Sequence, residues 1–183
     1  MSGFLVRKRV VGFVALLVGS WCVMAWTHEA GHLVAGWCCG GQLQVAEVRP
    51  WRLPYSVFSP DPQPLVTLWC GPLLGVCVPV LVALIVNRAW VWFIAQFCVL
   101  ANGLYLATAW FAGDAFLDTA QLLKHGANPL WIVLFCVLTI VSGYIGFKRS
   151  CVAFFCSRQP GGTEADNDAE GGLQVNGGRR DFE

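Results

Sequence analysis

The sequence predicts an all-α membrane protein with about four transmembrane helices, a short strand or hairpin segment after the first, and a disordered C-terminal tail. Three observations carry that expectation. The 183 residues are 56% hydrophobic and only 13% charged, with a mean hydropathy of +0.59, which lies outside the composition of soluble domains. Four apolar runs, near 10–36, 65–87, 89–112 and 130–147, approach or exceed the roughly 20 residues that cross a bilayer. From about 159 the chain turns to QPGGTEADNDAEGGLQVNGGRRDFE, too poor in apolar side chains to bury a core. Two units are expected, a transmembrane domain over 1–158 and a polar tail over 159–183.

The first run follows Arg7, Lys8 and Arg9. It is too long for a secretory signal and lacks a small-residue cleavage site in the expected place, so it is expected to stay in the chain. The segment GGQLQVAEVRPWRL comes next, and its alternation through Leu43 and Val45 fits a strand or hairpin. Pro54, Pro60, Pro62 and Pro64 mark an irregular connector ahead of the second run. GPLLG at 71–75 and GYIG at 143–146 supply small residues where helices in a membrane approach closely. Trp37, Trp51, Trp90 and Trp131 fall at expected span ends, as interfacial anchors do. None of the nine cysteines forms a CxxC pair, and most lie in apolar runs, where the side chain acts as a small hydrophobe.

A net charge of +1 points to no nucleic-acid partner; the partner that composition implies is the lipid bilayer. With four spans, Arg7, Lys8, Arg9, Arg88, Lys148, Arg149 and Arg158 fall on one side, and Arg49, Arg52 and Lys124 on the other. The positive-inside rule then places both termini in the cytoplasm. The expected location is integral and multi-pass, in the cell membrane.

Within residues 10–39 the only ionisable side chains besides cysteine are His28, Glu29 and His32. A charged group near a bilayer centre costs roughly 2.5–3.5 kcal/mol on insertion scales, so these residues need a reason. HEAGH supplies one. On a helix His28 and His32 lie one turn apart, about 6 Å along the axis, on one face. Both can aim a ring nitrogen at one zinc ion, while Glu29, about 100° round, can reach a water beside it. A polar cluster satisfied by neighbouring helices is the competing reading. Catalytic zinc takes a third protein ligand. Asp114 and Asp118, in WFAGDAFLDTAQLL, close the third run at the i, i+4 spacing. Runs one and three point the same way, so HEAGH and both aspartates reach the same leaflet, the one opposite the basic side. His125, in LLKHGANP, is expected to be solvated.

These residues resemble the site-2 protease family of intramembrane zinc metalloproteases, as a small member without a regulatory domain. HEAGH matches the family's first motif in full. LDTAQLL, from Leu117, is similar to its LDG-type motif, with Thr119 and Ala120 in place of the usual glycines. WCGPLLG resembles its GPL-containing helix, with Gly75 where Asn is common. No Asn- and Pro-rich run precedes the aspartate, and Asn102 lies sixteen residues before Asp118. The resemblance covers about 10–125. It implies zinc held by His28, His32 and Asp118, with Asp114 as the alternative or supporting carboxylate, and Glu29 as catalytic base. It also implies hydrolysis of peptide bonds in a membrane-protein substrate, which a strand-like edge at 43–49 would help to bind in extended form. The alternative is a non-proteolytic membrane protein that keeps the zinc site as a structural or regulatory element. No ionisable path crosses the bundle to support transport.

Truncation after Arg158 is expected to leave membrane insertion and zinc content unchanged, because the removed segment has almost nothing apolar to pack. A large loss of folded protein, seen by size-exclusion chromatography in detergent, would contradict this.

Overall fold

The computed structural model describes residues 2–52 and 54–156; Arg158 and the tail expected over 159–183 lie outside them. The elements run α1 (Ser2–Cys38), β1 (Leu43–Glu47), β2 (Tyr55–Phe58), α2 (Pro64–Val86), α3 (Ala89–Ala112), α4 (Asp118–Lys124) and α5 (Pro129–Cys156). Four helices, α1, α2, α3 and α5, are long and apolar enough to cross a membrane. Two of them outrun the expected spans. Arg7, Lys8 and Arg9 lie inside α1, and Lys148 and Arg149 inside α5, rather than before and after them. Hydropathy marks the membrane, whereas a helix ends where its backbone bonding ends, and Lys and Arg are good helix formers.

Helix ends follow local chemistry. Pro64 starts α2, where a missing N–H costs no helical bond. Asn87, in the left-handed region at φ 47°, ends α2 by donating its N–H to the Ala83 carbonyl. Gly113, at φ 68°, ends α3 in a conformation that glycine adopts without penalty. The i, i+4 spacing of Asp114 and Asp118 therefore does not put them on one helix face. The chain turns at Gly113, and Asp118 opens a new short helix.

α1 packs on α2 and α3, α3 packs on α5, and α4 rests against α3 and α2. The close approaches depend on GPLLG and GYIG, as expected. A Cβ on Gly31 of α1 would meet the backbone of Cys70 and Gly71, at 2.8 Å from Gly71 Cα. A Cβ on Gly143 would meet the backbone of Leu100. Leu106, Leu122, Ile132 and Cys136 form a buried cluster that joins α3, α4 and α5.

β1 and β2 pair antiparallel, from Leu43 with Phe58 to Glu47 with Tyr55. The Pro-rich connector is thus partly strand. Its register with β1 supplies the backbone partners that the prolines cannot announce. The hairpin folds back along α1, with Trp21 Nε1 donating to the Pro50 carbonyl at 2.8 Å and Trp26 Nε1 to the Val48 carbonyl at 3.1 Å. Trp21 precedes His28 by seven residues, so the hairpin turn lies about 10 Å from HEAGH toward the N-terminal end of α1. Glu47 pairs with Arg49 and Arg52 there. Hydrogen bonds from the Arg49 side chain push its carboxyl down to about 2.

Gly31→Ala is expected to lower stability by about 1–3 kcal/mol or prevent folding, because backbone cannot yield to the added methyl. Gly19→Ala on the same helix meets nothing within 4 Å and is expected to be silent. Equal thermal unfolding of both variants in detergent would contradict the packing.

Candidate metal centre

Burial of an ionisable group in a bundle of apolar helices is tolerated when every polar atom is satisfied. His28, Glu29 and His32 are all buried, Glu29 being 2% exposed. One turn of α1 places the two imidazoles on one face, with ring centroids 4.9 Å apart. Asp118, in the first turn of α4, comes to them from the far end of α3. His28 Nε2 lies 2.8 Å from Asp118 Oδ2, His32 Nε2 lies 3.3 Å from the same oxygen, and the two Nε2 atoms are 3.1 Å apart.

The opposite ring nitrogens decide what these atoms can do. Asn102 donates its amide N–H to the Cys98 carbonyl at 2.9 Å, which turns its oxygen toward His28. His28 Nδ1 then donates to Asn102 Oδ1 at 2.7 Å. His32 Nδ1 donates to the Thr67 carbonyl at 2.9 Å. With both Nδ1 atoms donating outward, each ring turns its Nε2 inward, facing the other ring and a carboxylate oxygen. Burial would raise the Asp118 carboxyl, but His32 and His28 beside it outweigh burial and hold it well below the ordinary carboxylate range. Two ring nitrogens and a carboxylate oxygen that converge this closely form a set that can hold a metal ion. Ligand bonds to zinc of about 2.0–2.2 Å set ligating atoms roughly 3–4 Å apart, close to the separations seen. The outward Nδ1 bonds are the supports that metal-binding histidines use.

The same residues line a cavity of about 800 Å³. Glu29 borders it, and its Oε1 is buried with no hydrogen-bond partner in the protein. A buried carboxylate oxygen left unsatisfied costs about 1–3 kcal/mol or more, which suits a group whose partner is a reactant. The donor set and this orphan oxygen both fit zinc. Ser56, Val57 and Phe58 of β2 border the cavity on another side, and Ser56 faces Glu29. The strand beside the site is therefore β2, not the 43–49 segment expected to offer its edge. Register explains the exchange, because β1 pairs with β2 and β2 takes the cavity side.

Asp114 lies on the exposed turn between α3 and α4. Its Oδ1 accepts the Phe116 N–H at 2.9 Å, and it borders the cavity without joining the three converging atoms. His125 caps the end of α4 and is exposed, as expected. Four contributors went unread in the sequence. Asn102 is an amide inside an apolar run, and burial cost alone could have flagged it. Thr119 donates its hydroxyl to the Leu106 carbonyl at 2.7 Å and so fixes α4 on α3. Tyr105, three residues after Asn102 and hence on the same face of α3, stacks edge-on to His28 with centroids 5.3 Å apart. The Thr67 carbonyl is backbone and carries no sequence signal. No protein-family model, curated protein or solved structure matches this chain.

Purified protein is expected to hold about one zinc. His28→Ala and Asp118→Ala should lose most of it, and Asp114→Asn should lose none. Asn102→Leu should weaken retention about 10–100-fold in competition with a chelator, as loss of a ligand's hydrogen-bond support does. Full zinc content in the double variant His28→Ala/His32→Ala would exclude the site.

Proposed function

We propose that this protein is a hydrolase, an intramembrane zinc metalloendopeptidase of site-2 protease type, acting on membrane-protein substrates. The observation that carries the reading is the convergence of His28 Nε2, His32 Nε2 and Asp118 Oδ2 within 3.3 Å, beside a carboxylate with a partnerless oxygen. Zinc held by these three residues would supply Lewis acidity toward a peptide carbonyl and lower the pKa of water. Glu29 takes the proton of the attacking water and hands it to the leaving amine as the C–N bond breaks. Asn102 and the Thr67 carbonyl keep both imidazoles aimed. The apolar wall that includes Trp21, Met24, Leu68 and Phe58 limits water around the reacting bond.

A peptide bond inside a helix is shielded by its own backbone hydrogen bonds, so a substrate must reach the site extended. β2 supports this step, since its residues border the cavity and an extended segment can pair with a strand edge. A cavity of about 800 Å³ has room for a short extended segment.

Glu29→Gln is expected to reduce cleavage of a reconstituted membrane substrate by about 10²–10⁴-fold while bound zinc stays at the wild-type level. Wild-type protein that holds zinc and cleaves no membrane substrate offered would favour the structural or regulatory zinc site instead.

A further inference from the structure

The described acids all lie in the half of the molecule that holds the cavity, together with Arg49, Arg52 and Lys124, whereas the far end is purely basic. Glu29, Asp61, Asp114 and Asp118 border the cavity, and Glu47 lies on the hairpin beside it. The far end carries Arg7, Lys8 and Arg9 on α1, Arg88 at the turn between α2 and α3, and Lys148 and Arg149 on α5. No acid among the described residues stands at that end.

Aromatic packing joins the cation-bearing stretches of α1 and α5 through α3. Phe13 of α1 contacts Phe93 of α3 at 5.7 Å and Phe154 and Phe155 of α5 at 5.5 and 4.9 Å between centroids. Phe93 contacts Phe147, the neighbour of Lys148, at 5.0 Å. Arg9 donates to the Phe155 carbonyl at 3.3 Å.

The same end holds surplus apolar length. The apolar part of α1, Val6–Cys38, has 33 residues, about 50 Å of helix against a hydrocarbon core of about 30 Å. Gly31 packs at Cys70–Gly71, and α2 ends at Val86. Equal rise back along α1 reaches about Leu16, so the turns before it project past the end of α2. There Phe4, Val6, Val10 and Val11 are 64%, 60%, 48% and 60% exposed, interleaved with Arg7, Lys8 and Arg9. The Lys8 ammonium lies over the Phe4 ring at 4.4 Å. Apolar and cationic side chains on the same turns are satisfied together only where acyl chains and phosphates lie within reach of both.

We propose that this end is a binding surface for anionic phospholipids, with lipid phosphates against Arg7 and Lys8 and against Lys148 and Arg149, and acyl chains against Val10 and Val11. Each basic residue near an anionic leaflet favours association by about fivefold. An anionic leaflet at this face puts the HEAGH end at the opposite leaflet, which agrees with the positive-inside count. The surface is remote from the metal-binding residues and stands whether or not the protein cleaves peptides.

Full-length protein in detergent, offered phosphatidylglycerol or phosphatidylcholine and read by native mass spectrometry, tests this. Wild type is expected to retain phosphatidylglycerol at least about tenfold better at low salt, with the preference falling as ionic strength rises. Lys148→Gln/Arg149→Gln should reduce the preference. Adding Arg7→Gln and Lys8→Gln should bring it near unity with zinc content unchanged. Arg49→Gln/Arg52→Gln, on the hairpin beside the cavity, should leave it intact. Equal retention of the two lipids by wild type would overturn the proposal, as would loss of preference only in the Arg49/Arg52 variant. Displacement of the lipid by inorganic phosphate at matched ionic strength would also overturn it, identifying a free-phosphate site.

Discussion

His28 Nε2, His32 Nε2 and Asp118 Oδ2 face one another at separations of 2.8–3.3 Å. Both Nδ1 atoms donate outward, to Asn102 and the Thr67 carbonyl, and this aims the Nε2 atoms at Asp118. The apolar surroundings raise the penalty for leaving any member of such a cluster unpaired. Four helices contribute to it. α1 supplies the imidazoles, α4 the carboxylate, α3 the amide and α2 a carbonyl, and displacement of any one leaves a buried polar atom unpaired.

The contact between α1 and α2 shows how tightly the supports are coupled. Gly31 lies against the backbone of Cys70 and Gly71, and a Cβ on Gly71 would enter the ring of His32. Close approach of these helices is what brings the Thr67 carbonyl within 2.9 Å of His32 Nδ1. Gly75 plays the same part for Asn102, whose amide fills the space that a side chain there would take. Small residues of α2 thus act on the site through the atoms that aim the imidazoles.

Asp118 depends on a different device. α3 stops at Gly113, the chain turns, and α4 starts at Asp118 with its carboxylate at the favourable N-terminal end of the helix. Thr119, bonded to the Leu106 carbonyl, and the buried Leu122 clamp this short helix to α3 and α5. Without them a helix of seven residues would not hold its place, because most helical stability comes from packing. The opposite end of the molecule has no such demand. It gathers phenylalanines and cations around the long N-terminal reach of α1, which sets a basic end apart from the cluster of His28, His32 and Asp118.

Much of this was already present in the chain. Apolar runs of sufficient length have one physical solution in a bilayer, a helix that satisfies its own backbone, so four spans were readable without knowledge of their neighbours. The i, i+4 spacing of His28 and His32 places both rings on one face wherever that helix lies. Leaflet parity put Asp114 and Asp118 near them but could not choose, because the choice turns on the break at Gly113 and on how Thr119 seats α4. Asn102, the Thr67 carbonyl and β2 were decided by tertiary structure. An amide, a backbone oxygen and a Pro-flanked segment acquire roles only when helix packing and strand register bring them within hydrogen-bonding range, and distances between elements are not written in the periodicity of any one of them.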